Sequence, residues 1–416
     1  MTKILMGSSF ISLIGMAVGF ILNVILARNM GSNAFGSWCL VYSLILISAP
    51  ICCLGLDRLL LTEAPRIKAL SGVHSETCLI RTSAMIVGKI SCVIGAVALA
   101  IAVHLEAPLQ WIIASMCVPL AALTTLSTMA LRARQMVFRS QLQEQLLRPL
   151  MLLGLSAAFI LSGIISAAVI AVSLVMAFAV SLLANWGPAF RGAVTPVATQ
   201  VTIPWKRAIQ LWAATALLFA SSRIDLFIIA FFLDASEVAG FHVCTRIAII
   251  TGTGAVLLNV VVGSHVAKLV AEGALETAQG IMRKSVRIIG GVTAVGMAII
   301  ILNTDVILGI FGSQYTSYGT TLGLLMFGQL VNVMTGPNGM ILQVYHLERY
   351  ALASNAIGII VGVTTTILLI PLCGLVGAGI GACLGTSLTQ FLCWRLTLRQ
   401  TPLDPSILSK PRPLKT

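Results

Sequence analysis

The chain has 416 residues, of which 58% are hydrophobic and 9% charged, where an ordinary soluble domain has about 45–50% apolar residues and about a quarter charged. That deficit excludes a soluble globular protein, and at about 20 apolar residues per bilayer-spanning helix the apolar stock is enough for roughly twelve spans. The net charge of +13 would point to nucleic acid in a soluble protein, but in a membrane protein it is what the positive-inside rule produces.

Cut at charges and at Pro and Gly clusters, the sequence predicts twelve spans in chain order, over residues 8–27, 37–57, 82–104, 108–131, 147–163, 166–189, 208–233, 239–265, 285–304, 318–345, 350–371 and 374–397. The apolar run after Met1-Thr2-Lys3-Ile4 is too long for a signal peptide and leads directly into further spans, so it reads as the first of them. An even number of spans puts both termini on one side. Alternate loops then divide the basic residues unevenly: 22 of them, from Lys3 to Lys415 and including Arg132, Arg139 and Arg148, fall in one set, and only Arg28 in the other. The basic set is cytoplasmic by the positive-inside rule, and with it both termini. The outer loops are short and acidic, with Glu106, Asp234, Glu237 and Asp305, and leave no room for a catalytic ectodomain.

The first span leaves the membrane as Ile25 to Gly36 and the seventh as Ile228 to Gly240, in a similar pattern about 203 residues apart. Six spans separate the copies, so the repeat is parallel, with its axis along the membrane normal. The expected fold is an all-α polytopic membrane protein of about twelve transmembrane helices, in two six-helix lobes related by a parallel pseudo-two-fold repeat. The lobes would be residues 1–200 and 201–400. Residues 401–416, with four prolines and three basic residues, are predicted to be a disordered cytoplasmic tail. Nine of the ten cysteines, Cys78 excepted, lie inside apolar segments without metal or redox spacing and read as packing residues.

Four ionisable residues lie well within predicted spans: Lys89, Arg223, Asp225 and Arg246. Each costs at least about 2.5–3.5 kcal/mol to bury even on the lenient insertion scale, so each needs a reason. Arg223 falls near mid-bilayer, whereas the stem of Lys89 can reach the headgroups. Asp225 and Arg246 flank the turn at Glu237 at similar depth, which makes them either an ion pair fixing the hairpin or lining of a cavity. With Arg28 at the outer end of span one, the interior carries net positive charge, suited to phosphate or pyrophosphate. In span ten, Gln329, Asn332, Gly336, Gly339 and Gln343 recur at three and four residues and form one polar face. Its carboxamides could face a glycan or bond neighbouring helices, and Pro337-Asn338-Gly339 should kink the helix. The Gly377, Gly381 and Gly385 series in the last span reads as helix packing. No hydrolase, zinc-protease or nucleotide-binding motif is present, and the five histidines are scattered.

The runs Leu26-Ala27-Arg28-Asn29-Met30-Gly31 to Phe35-Gly36 and Leu54-Gly55-Leu56-Asp57-Arg58 resemble the opening of the polysaccharide transporter family, within the multidrug/oligosaccharidyl-lipid/polysaccharide (MOP) flippase superfamily. Ile310 to Tyr315 is similar to its approach to span ten, and Ile370 to Ala378 to its link between spans eleven and twelve. The resemblance covers nearly the whole chain, in order. It implies a non-enzymatic flippase of the bacterial inner membrane that moves an undecaprenyl-pyrophosphate-linked oligosaccharide to the periplasmic leaflet for O-antigen, capsule or exopolysaccharide assembly. It also implies a cationic central cavity, to which Arg28, Arg223 and Arg246 would belong. Lys89 is the further candidate cation, and Asp225 a cavity acid or ion-pair partner. Gln329, Asn332 and Gln343 would face the glycan. No cofactor, metal or nucleic-acid partner is expected. Coupling to protons or sodium is left open, and the partners would be the lipid-linked oligosaccharide, membrane lipids and glycan polymerase and chain-length machinery. Two alternatives are a multidrug/cation antiporter of the same superfamily, which would want intramembrane carboxylates, and an integral-membrane glycan polymerase.

Overall fold

The computed structural model of the chain describes residues 2–190 and 203–409, and every regular element among them is helical. α1 (Thr2–Met30) and α2 (Ser32–Cys52) carry the first two predicted spans. A tight turn leads into α3 (Leu56–His104), which is two helices merged across a kink at Gly72. The piece before the kink occupies what the sequence predicts as a cytoplasmic loop; the piece after it holds span three. Next come α4 (Leu109–Ala133) and α5 (Val137–Gln141), which runs through a π-helical turn, Leu142–Leu147, into α6 (Arg148–Leu161), and then α7 (Ala167–Phe190).

The seventh span is two helices, α8 (Trp205–Ser221) and α9 (Ile224–Phe232), broken at Ser222 and Arg223. It is followed by α10 (Ala235–Leu257), a second π-helical turn, Leu258–Val262, and α11 (Gly263–Ala271). α12 (Leu275–Leu302) and the short α13 (Thr304–Gly309) precede a 3₁₀ turn, Ser313–Tyr318. The tenth span is α14 (Gly319–Thr335) and α15 (Asn338–Val344), and α16 (Glu348–Cys373) and α17 (Leu375–Gln400) complete the chain. Nine helices among the described residues are long and apolar enough to cross a membrane. The other three predicted spans are the first, with Ile14–Met30 as its apolar stretch, and the broken seventh and tenth. The chain is a multi-pass, all-α membrane protein.

Its contacts divide it into two compact units, Met1–Arg223 and Ile224–Thr416. The predicted lobe boundary at residue 200 lies outside the described residues; the contacts place the division inside span seven. In the first unit Leu56, Leu59 and Leu60 of α3 pack with Leu126 and Leu131 of α4 and Phe190 of α7. α8 belongs with them. The Trp212 indole donates to the Ile51 carbonyl (3.0 Å), and Arg207 pairs with Glu63 of α3. Gly55, in the left-handed region (φ 76°), lets the α2–α3 turn approach α8 so closely that a Cβ there would lie 2.0 Å from the Ala208 carbonyl oxygen.

The helix that carries span five begins well before the predicted span. Cutting at charges begins the span at residue 147, but the helix that carries it runs from Val137 to Leu161, with Arg139, Glu144 and Arg148 in its first half. The preceding link is only a tight turn, with Gln135 at φ 63°. Glu144 and Arg148, predicted to be cytoplasmic, therefore lie on the same continuous helix as the span. Arg148 sits eleven residues from its start, about 16 Å along the axis.

In the second unit, small residues bring α16 and α17 together: a Cβ on Gly381 would meet the Thr366 Oγ1 at 2.1 Å, and one on Gly385 the Gly358 carbonyl at 2.9 Å. The packing role read for this glycine series is what these approaches require. A core of Leu258, Val266, Met282, Val286, Val333 and Ile341 includes Leu403, from the predicted tail. That segment corrects the prediction, because residues 401–409 form an ordered strap. Asp404 exchanges two hydrogen bonds with the Gln279 carboxamide (2.6 and 2.8 Å), and its carboxylate accepts from the Trp394 indole (3.2 Å) and the Ser406 hydroxyl (2.8 Å). Arg283 donates to the Ser409 hydroxyl (3.2 Å). Composition pointed to disorder; two apolar anchors, Leu403 and Ile407, and one well-satisfied aspartate outweigh it. Residues 410–416 of the predicted tail lie outside the described residues.

Candidate functional site

The break in span ten builds a polar cavity within the second unit. α14 ends at Gly336 (φ 80°, ψ −171°), and α15 restarts after Pro337, so the interruption falls one residue ahead of the predicted kink. The strap holds it there. The Ile407 amide donates to the Met334 carbonyl (3.0 Å), one of those orphaned by the helix end, and Gly336 lies so close to Pro405 that a Cβ would be 2.1 Å from its carbonyl oxygen. Beside the break is a cavity of about 390 Å³ lined by Asn259, Asn332, Asn338, Gln343, Asn355 and Gln390, together with Thr389 and apolar neighbours. No lining residue is charged. Asn338 is 1% exposed; its Nδ2 donates to the Thr335 carbonyl (3.1 Å), and its Oδ1 has no hydrogen-bond partner among the described residues.

The predicted polar face of span ten thus divides. Asn332 and Gln343 line the cavity, whereas Gln329 packs against α10, where a Cβ on Gly252 would lie 2.5 Å from its Oε1. Asn338, Asn355 and Gln390 join them from α15, α16 and α17. Only Asn338 stood in a motif singled out in the sequence. The others come from helices remote in sequence, and no spacing along one helix could have grouped them.

In the first unit the polar interior centres on span five. Glu144 is paired with Arg132 at the end of α4, whose Nε also donates to the Ser140 hydroxyl (2.9 Å). Arg148 lies over the face of buried Phe178, 4.9 Å from the ring centroid, a cation–π arrangement. Among the described residues no ion pair includes Arg148. The signal that could have found it is the apolar pattern Val137, Phe138, Leu142, Leu146 and Leu150, which continues the span upstream through the charges.

The predicted cations lie on different elements. Arg28 is exposed in the last turn of α1, and Lys89 is exposed on α3. Arg223 sits at the break between α8 and α9 and reaches the buried Ser43 hydroxyl of α2 (Nη1 to Oγ, 3.4 Å). Arg246 of α10 donates from Nε to the His242 Nε2 (3.2 Å), one turn away. The ion pair weighed for Arg246 and Asp225 does not form: no ion pair of the described residues joins them. Arg246 turns instead to the imidazole four residues back on the same helix face. Asp225 opens α9 as a half-buried carboxylate. Among the described residues no cluster of three or more His, Cys, Asp or Glu could hold a metal ion.

Neither a protein-family model nor a curated protein matches the chain. Solved structures do. An inward-facing multidrug resistance MATE family transporter of the MOP superfamily is 14% identical, with a TM-score of 0.77 over 92% of this chain and 94% of that one. The lipid II flippase MurJ, in an inward closed conformation, is 12% identical, with a TM-score of 0.69 over 95% and 88%. A MOP superfamily transporter from Pyrococcus furiosus, described as having a binding pocket of reversed polarity, is 16% identical, with a TM-score of 0.66 over 95% and 96%. At these identities the likeness is one of fold, and the fold of this chain is that of the MOP superfamily transporters.

Proposed function

We propose that this protein is a flippase, not an enzyme, that carries a polyprenyl-pyrophosphate-linked oligosaccharide from the cytoplasmic to the opposite leaflet of a bacterial inner membrane by alternating access. It would serve O-antigen, capsule or exopolysaccharide assembly, with both termini cytoplasmic. The observation that carries the reading is the charge of the membrane interior. Arg148 lies over a ring and Arg246 donates to an imidazole, neither of them in an ion pair among the described residues, and Arg223 at its helix break would add a third cation. Arginines solvated by neutral groups keep their charge for a ligand, and a pyrophosphate is the ligand that suits several of them. Arg28 and Lys89 would add to the attraction. Moving an anion outward against an inside-negative potential is electrically downhill by about 2.3 kcal/mol per charge per 100 mV. Proton or sodium coupling would then be needed only for the return.

A second reading, a cation or multidrug antiporter, rests on Asp225, a half-buried carboxylate without an ion pair among the described residues. Proteoliposomes separate the two. Purified protein should move a polyprenyl-pyrophosphate saccharide between leaflets, read by its accessibility to an external glycan-cleaving enzyme, and Arg223→Ala should abolish that transfer while inserting normally. Ion-driven accumulation of a cationic dye, lost in Asp225→Asn and without leaflet transfer of the saccharide lipid, would replace the flippase by the antiporter.

A further inference from the structure

We propose that the cavity beside the break of span ten is a docking site for an uncharged, hydroxyl-rich saccharide, which, resting on the flippase reading, is the glycan of the cargo at its loading stage. The chemistry of the lining carries the inference. Each carboxamide offers two donors and a two-lone-pair acceptor side by side, the complement of neighbouring sugar hydroxyls that each donate and accept. Six of them, from Asn259, Asn332, Asn338, Gln343, Asn355 and Gln390, converge on one space. Without a charged residue in the lining, an ionic ligand entering it would lose hydration with no counter-charge to meet it, so the site selects for neutral polarity.

Asn338 supplies a second, independent observation. It is 1% exposed, and its amide orientation is set by the Nδ2 bond to the Thr335 carbonyl, which leaves Oδ1 as a buried acceptor without a donor among the described residues. A rotation of the Asn338 side chain would be needed to present that acceptor to a ligand in the cavity. The volume, about 390 Å³, lies in the range of small-molecule sites, about 300–1,000 Å³, and fits a short saccharide rather than a long chain. The position suits loading. The cavity lies at the end of the lobe that carries the strap, where Arg283 and Arg287 meet it, and this is the end that the positive-inside rule assigns to the cytoplasm. There the lining is prearranged: α14 ends where Gly336 meets Pro405, and Asn338 follows two residues later.

The test is saturation-transfer NMR on the full chain in lipid nanodiscs. The probes are neutral hexose and N-acetylhexosamine disaccharides, with a glucuronate disaccharide and tetraphenylphosphonium as charged comparisons. Wild-type protein should transfer saturation to a neutral disaccharide in preference to either charged probe. Asn355→Leu and Gln390→Leu should each weaken that binding about tenfold, with elution profile and melting unchanged. Asn355→Gln, which keeps the carboxamide, should stay within about threefold of wild type. No transfer to any neutral sugar from wild-type protein, equal transfer in both leucine variants, or preference for a charged probe overturns the proposal. Leaflet transfer is measured separately: sugar binding that behaves as expected, in a protein that moves no polyprenyl-pyrophosphate cargo, upholds the docking site and refutes the flippase reading.

Discussion

Gly336→Ala should destabilise the second unit by about 3 kcal/mol or more, through two effects that can be separated. At φ 80°, ψ −171° the residue occupies a region that is essentially glycine-only, and an alanine there carries about 1–3 kcal/mol of strain. In addition its Cβ would lie 2.1 Å from the Pro405 carbonyl oxygen, and a backbone atom cannot swing aside as a side chain can. The strap must lift. Lifting breaks the Ile407 amide to Met334 carbonyl bond, about 1 kcal/mol net, and begins to expose Leu403, whose full burial is worth about 1.5–3 kcal/mol. For a unit of this size the melting temperature should fall by about 6–12 °C. A thiol-reactive dye reports the transition, because Cys244 and Cys393 are buried in this unit. The decisive comparison is a double-mutant cycle with a chain stopped after Thr401. Without the strap, Gly336→Ala retains only its torsional cost, so the two changes should fall short of additivity by about 1–2 kcal/mol. A melting temperature within about 2 °C of wild type, or full additivity in the cycle, would refute the role given to the strap.

Arg148→Gln should cost about 1 kcal/mol of stability from the lost cation–π contact but reduce leaflet transfer of a pyrophosphate-linked saccharide at least about tenfold; Arg148→Lys, which keeps the charge, should recover part of the rate. Transfer and melting are measured on the same preparations, and a rate that merely tracks stability counts against the role. Glu144→Gln should destabilise by about 1–2 kcal/mol, less than the about 3–5 of a fully buried pair, since both partners keep some exposure; the double variant Arg132→Met, Glu144→Leu should melt closer to wild type than either single change. Gly55→Ala should cost more than about 2 kcal/mol, from its positive φ and from the approach to Ala208, and limited proteolysis should show α8 cut sooner in the variant.

The span count was legible because each apolar run is longer than a soluble core helix needs. The beginning of span five was not. Glu144 and Arg148 look like loop residues when a charge is taken as a break, yet the fold neutralises one with Arg132 and seats the other on Phe178, partners from other helices that one-dimensional reading cannot supply. The break at Pro337 left a signal, whereas Ser222 and Arg223 interrupt span seven without a proline or glycine. Residues 401–409 misled through average composition, since one aspartate with well-placed partners and two buried aliphatic side chains suffice to order a short segment. The candidate site was half legible: the face of span ten could be drawn from its own periodicity, but Asn355 and Gln390 enter from α16 and α17, whose meeting depends on the close approaches at Gly381 and Gly385.

Charges in the first unit divide by the partner they take, and the division bears on the proposed function. Glu63, Glu76 and Glu144 pair with Arg207, Arg134 and Arg132; each pair joins stretches of chain far apart or across a turn. Arg148, one turn further along the same helix, is excluded from that pattern although Glu144 is within reach of an i,i+4 contact. A purely structural arginine would be expected to take the nearest carboxylate, because an unpaired charge removed from water is the costlier state. Here Arg132 takes Glu144, and Arg148 is left with an aromatic face that attracts the cation without cancelling its charge. Arg148 is therefore a half-buried cation that no carboxylate among the described residues neutralises, as the proposed anion-carrying site would require. Should an Arg148→Met variant fold with unchanged stability and transport at the wild-type rate, the arginine would be a tolerated charge and this inference from its partners would fall.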